Sequence, residues 1–177
     1  MRLLSDIELR REFGDPSPFI REDGTVKLDW ERDFTSTCKL PAPLAHSWSP
    51  TSKVTTLRCH RRLVGLFESA LDALWKTPEA WATIGDTGGI YAFRVRRTDH
   101  AKLSLHAWGA AIDLDVRDNP LGDTTPEVHP KTIAIMASHG FAWGGPRSKG
   151  GFFSDARPDP MHFECSDVTL HLIGGGE

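Results

Sequence analysis

Two histidines and an aspartate, His106, Asp113 and His162, constrain this chain more than any other residues. They stand in the run Ser104-Leu105-His106-Ala107-Trp108-Gly109-Ala110-Ala111-Ile112-Asp113 and, far downstream, in Asp159-Pro160-Met161-His162. Two imidazoles and a carboxylate are ligands a catalytic zinc ion accepts, with the fourth tetrahedral position left for water or substrate. A fold that uses them must bring two distant stretches of chain to one point. A further acid, Asp159, lies three positions before His162, close enough to that water to act as a general base. This division of labour points to metal-assisted hydrolysis.

The rest of the chain fits one catalytic domain. At 177 residues, with 39% hydrophobic and 25% charged residues, it has the size and composition of a single globular unit. A net charge of -3 offers no basic face for nucleic acid. Cys38, Cys59 and Cys165 are odd in number and include no C-x-x-C pair, so neither a disulfide framework nor a thiolate zinc site is indicated and all three are expected reduced. If residues 162–165 form a strand, Cys165 faces away from His162, which makes it a poor ligand. The start, Met1 to Glu8, turns acidic before a signal peptide's apolar segment could form. No apolar run approaches the roughly 18 residues of a membrane span.

Local patterns place the motifs. Residues 1–36 are polar, with turns at Asp15-Pro16-Ser17-Pro18 and Asp23-Gly24, and are expected to be an N-terminal extension wrapping a catalytic domain over 37–177. Leu63, Val64, Phe67, Ala70, Leu71, Leu74 and Trp75 have the spacing of an amphipathic helix, expected over Arg58–Trp75 with a structural His60 near its start. A second helix is expected from Pro130 to His139, stopped by Gly140. Strands are expected at 90–95, 110–116, 141–143 and 161–165. In the second, alternation puts Ile112, Leu114 and Val116 on one face and both Asp113 and Asp115 on the other. Gly174-Gly175-Gly176 reads as a flexible tail.

The pattern S-x-H-x-x-G-x-A-x-D followed by D-x-x-H resembles the zinc D-alanyl-D-alanine carboxypeptidases and L-alanyl-D-glutamate endopeptidases that cut peptidoglycan peptides, a group that includes many phage endolysins. The stretches Leu40-Pro41-Ala42-Pro43-Leu44, Arg58-Cys59-His60, Gly88-Gly89-Ile90-Tyr91-Ala92-Phe93-Arg94, Phe141-Ala142-Trp143-Gly144-Gly145 and Asp159-Pro160-Met161-His162-Phe163-Glu164 resemble it in the same order, over about residues 38 to 166. The resemblance implies an α+β fold of the D-Ala-D-Ala carboxypeptidase, or hedgehog-like, kind: a small antiparallel sheet carries the ligands of one zinc ion and helices pack on its other face.

The resemblance also sorts the candidates. Its register selects Asp113 over Asp115 as the carboxylate ligand, and Asp159 over Glu164 as the base. Glu164, on the strand face of His162, is left to orient that imidazole. Small Gly109 and Ala111 let the loop bring His106 and Asp113 against one ion. Within the basic cluster Arg94, Arg96 and Arg97, the family's arginine-bearing segment favours Arg94 and Arg97 for a substrate carboxylate or the developing oxyanion. A solvated charge run is the plain alternative. Ser104 is expected to contact substrate or fix the His106 loop, and Trp108 and Trp143 to be core. The remaining histidines, His46, His100, His129, His139 and His171, are taken as structural.

The implied activity is zinc-dependent peptide hydrolysis in peptidoglycan stems, first as an L-alanyl-D-glutamate endopeptidase of endolysin type. A D-alanyl-D-alanine carboxypeptidase is the alternative, and a non-catalytic wall-binding or virion protein the third, disfavoured by the intact ligand-and-base set. The expected partner is a peptidoglycan peptide, with no nucleic acid and no membrane span, and the chain is expected to be a monomer. Without an export signal it is expected to be made in the cytoplasm and to reach the wall by phage or prophage delivery.

Overall fold

The structure is a computed structural model that describes residues 1–96 and 102–174. Six strands form one sheet in the order β2-β1-β3-β4-β6-β5, with β1 Thr35–His46, β2 Ser49–His60, β3 Asp86–Gly89, β4 Ala111–Leu114, β5 Phe141–Trp143 and β6 His162–Cys165. The protein is thus α+β. The sheet is mostly antiparallel, as expected, with one parallel pairing of β1 and β3 through Ala45↔Asp86 and His46↔Thr87.

Antiparallel pairing of β4 with β6 positions the site. Asp113 stands directly opposite His162 and Ala111 opposite Glu164, so these side chains share one face of the sheet. On the other face Ile112 opposes Phe163, and both are buried in the core. The pairing also fixes Cys165 away from His162, and all three cysteines are buried and free. Beyond Leu114 the alternation ends. Asp115 takes a positive φ of 55°, so it does not continue the face of Asp113. Its carboxylate instead accepts from Gly85 N at 3.1 Å and Asn119 Nδ2 at 2.8 Å.

The helix expected from Arg58 begins later. Arg58, Cys59 and His60 finish β2, a 3-10 turn covers Arg61–Leu63, and α3 spans Val64–Trp75 with Phe67, Ala70, Leu71 and Leu74 buried. The apolar spacing belongs to α3 alone; the polar residues ahead of it pair with β1. Phe67 stacks on Phe141 of β5 with ring centroids 4.7 Å apart, so truncating it to alanine costs about 3–5 kcal/mol. A short α4, Pro78–Trp81, follows, and α5, Pro130–Ser138, begins on its proline and ends one residue short of the expected His139. The strand expected at 90–95 is displaced: pairing occurs at Asp86–Gly89, and 90–94 is irregular.

Residues 1–36, read from sequence as a polar extension, hold two helices, α1 Asp6–Phe13 and α2 Leu28–Phe34, and the start of β1. A capping box of Ser5 and Glu8 starts α1. Leu9, Phe13 and Trp30 from these helices are fully buried in the same core as α3 and β4. The chain ends in α6, Asp167–Leu172. No helix of the described residues is long and apolar enough to cross a membrane.

Candidate metal centre and cleft

His106 lies on a 3-10 turn, Leu105–Trp108, started by Ser104, whose Oγ accepts from His106 N at 3.4 Å. Gly109 ends the turn at φ +67°, where a Cβ would stand 2.5 Å from the backbone nitrogen of His60. That His60 N–H donates to Gly109 O at 3.0 Å, so the ligand turn lies directly on the end of β2. The N-terminal segment braces the same turn: Trp108 Nε1 donates to Gly14 O at 2.9 Å, and His60 Nε2 lies 3.2 Å from Phe13 O.

His106, Asp113 and His162 come together as a buried group that could hold one metal ion. His106 Nε2 is 3.1 Å from Asp113 Oδ1 and 3.2 Å from His162 Nδ1, and His162 Nδ1 is 2.9 Å from Asp113 Oδ1. For ligands about 2.0–2.2 Å from a tetrahedral zinc, neighbouring ligand atoms stand roughly 3.3–3.5 Å apart. The triangle is therefore close to the required size.

The outer ring nitrogens define what faces inward. His106 Nδ1 is 2.8 Å from the carbonyl oxygen of Ile90, which only accepts, so Nδ1 carries the proton. His162 Nε2 is 2.9 Å from Glu164 Oε2, so there too the outer nitrogen donates. Neutral imidazoles in these tautomers turn their lone pairs toward the Asp113 carboxylate. Three acceptor atoms within van der Waals contact require a cation between them, and outer-nitrogen bonds of this kind hold metal-ligand histidines in place.

Electrostatics agree. Burial would lower the pKa of His162, but hydrogen bonds and charge from Asp113 and Glu164 outweigh it and push His162 up to about 10. Burial works to raise Asp113, yet the two histidines hold it well below the usual carboxylate range. Without an ion a proton satisfies this cluster, and metal binding must displace it.

Asp159 is half-buried and lines a cleft of about 340 Å³ together with His162 and Glu164. Its backbone is pinned to the ligand strand: Asp159 N donates to Gly144 O at 2.8 Å, His162 N to Asp159 O at 3.0 Å, and Gly144 N to His162 O at 2.7 Å. A Cβ on Gly144 would lie 2.5 Å from Asp159 O, so only glycine permits the approach.

Ser104 and Arg94 also line the cleft, and Ser104 N donates to Arg94 O at 3.0 Å. Arg96 lines it as well, but its guanidinium is tied to Leu103 O at 3.0 Å and Asp6 Oδ1 at 3.3 Å. Arg97 and His100 lie outside the described residues. Asp115 is away from the cluster, as is Trp108, which is core. Leu3, Leu121, Phe153, Ser154 and Arg157 also line the cleft and were not singled out from sequence. Nothing local marks Leu3, which is brought in by an isolated bridge to Ser166. Arg157 carried a usable signal: a cation two residues before Asp159.

Residues 98–165 match the family model of the D-alanyl-D-alanine carboxypeptidases, a stretch that contains all three metal-site residues together with Asp159 and Glu164. Comparisons with curated proteins and with solved structures return no match to the chain.

Proposed function

We propose that the chain is a zinc peptidase of the D-alanyl-D-alanine carboxypeptidase kind acting on peptidoglycan-related substrates, and that it is an endopeptidase of stem peptides, cleaving the bond between L-alanine and D-glutamate. One observation carries the reading. The buried His106, Asp113 and His162 group opens, through His162, on a cleft that also holds Asp159 and is edged by exposed Ser154 and Arg157 rather than closed around Arg94. A substrate chain can continue past such an edge, whereas a carboxypeptidase needs a pocket that ends on the terminal carboxylate.

Zinc held by His106, Asp113 and His162 would supply Lewis acidity to the scissile carbonyl and to a water. The protein does the rest. Asp159 takes the water's proton and passes it to the leaving amine. Arg94, half-buried beside the Ser104 turn, offers its guanidinium to the oxygen on which charge develops. Glu164 and the Ile90 carbonyl hold the two imidazoles in the tautomers that bind metal.

Mass spectrometry of muropeptides after incubation with purified peptidoglycan tests the bond. New D-glutamate amino termini, lost on chelation and restored by zinc, are expected. Release of free D-alanine instead would make the enzyme a carboxypeptidase, the reading that Arg94 as a terminal-carboxylate anchor favours.

A further inference from the structure

The cleft holds three described arginines, and they are not equivalent. Arg96 spends its guanidinium on Leu103 O and Asp6. Arg94 and Arg157 have no side-chain hydrogen bond or ion pair with any described residue. Elsewhere this chain pairs its arginines freely: Arg2 with Glu8, Arg32 with Asp29 and Asp33, Arg58 with Glu31, Arg117 with Asp86. Two guanidinia without a counterion among the described residues in one concave site, on a chain of net charge -3, are a receptor for an anion.

They also differ in depth. Arg94 is half-buried and joined through its backbone to the turn that carries His106. Arg157 is exposed, at the end of a turn closed by its own N–H to Ser154 O at 3.1 Å, two residues before Asp159. Apolar Leu3, Leu121 and Phe153 line the same cleft. Such walls suit a peptide that alternates methyl-sized side chains with carboxylates. We propose that Arg157 is a substrate-binding residue that reads a second carboxylate of the peptide, on the leaving side of the scissile bond, while Arg94 serves the reacting carbonyl. The ligand class is an anionic peptide, and the D-glutamate α-carboxylate is the group that would fill this place. This inference rests on the endopeptidase reading above.

The test pairs an enzyme change with a substrate change. The probes are the tripeptide L-Ala-γ-D-Glu-L-Lys and the same peptide with its D-Glu α-carboxylate amidated. A charge-assisted contact at a solvated edge predicts that Arg157→Gln raises KM for the acidic peptide about 10-fold, with kcat changed less than about twofold. Amidation should cost the wild type about the same factor, and Arg157→Gln should then add nothing, because the contact is already absent. Arg157→Lys should recover part of the loss through its charge.

Equal losses on both peptides would mark Arg157 as merely structural and overturn the proposal, as would no loss on either. Calorimetric titration of both peptides separates this from the assigned activity. If the wild type cleaves neither peptide, yet binds the acidic one in a way that Arg157→Gln weakens and amidation abolishes, the endopeptidase reading falls and the receptor stands. If cleavage proceeds but neither KM nor binding depends on Arg157, the receptor alone falls.

Discussion

Two buried histidines less than a strand's width from one turn behave in opposite ways. His60 lies against the rings of Phe13 and Phe34, with centroids 5.0 and 6.4 Å away, and its acceptor among the described residues is a backbone carbonyl. Burial, assisted by Arg61 and Arg62, pushes it down to about 4. His162 is buried as deeply but meets two carboxylates, and is pushed up to about 10. Burial alone therefore does not make a ligand site. What separates the two is whether anions surround the ring, because anions both hold a proton and hold a metal.

The sharpest way to break this contrast is to delete each ring in turn. His162→Ala should drop zinc content and hydrolysis to background, whereas His60→Gln should keep stoichiometric zinc, measured by elemental analysis of the purified proteins. Zinc lost equally from both would show that the His60 pocket is part of the metal site rather than its brace. Next in size is Asp159→Ala. It should retain zinc and lower kcat by about 10²–10⁴-fold, the usual contribution of a general base. A fully active variant would refute that role. Smaller again is Glu164→Gln, which leaves His162 a neutral acceptor and should weaken zinc affinity about 10–100-fold in a chelator competition assay. An unchanged affinity would mean that the carboxylate serves the proton and not the ion.

How far the sequence disclosed this structure divides along the same line. β5, α5, and the core of β4 and β6 stand where their apolar patterns put them, because every residue of these three short strands is buried. The three metal-site residues were legible through the resemblance of their motif to the zinc peptidases, whose register chose Asp113 over Asp115. The long β1–β2 hairpin left little trace. β2 is exposed over most of its length, so no alternating pattern arises, and β1 carries Pro41 and Pro43, which normally argue against a strand. The structure absorbs both prolines where the register slips between Lys39 and Leu44. The N-terminal helices were missed because each is a turn or two long and commits few residues to the core. Arg157 was passed over although its place two residues before Asp159 was legible, because which cations lack partners is a property of the folded chain.

The smallest effect tests the other half of the comparison. In the unfolded chain His60 titrates at its ordinary value of about 6.5, but in the fold only at about 4. Between those values the unfolded chain binds a proton that the native chain refuses. The native state is thus fully favoured above about pH 6.5 and loses stability as pH falls toward 4, by about 3 kcal/mol once both values are passed. Other groups titrate in this window, so the measurement is a difference. Urea midpoints of the wild type and His60→Gln, followed from pH 7 to pH 4, should converge as the wild type loses its excess, because glutamine can offer one acceptor to Arg62 N and one donor to Phe13 O without a charge to bury. Parallel curves would mean that His60 is protonated in the fold, and then the aromatic cage would differ from the metal centre in its ligands but not in its tolerance of charge.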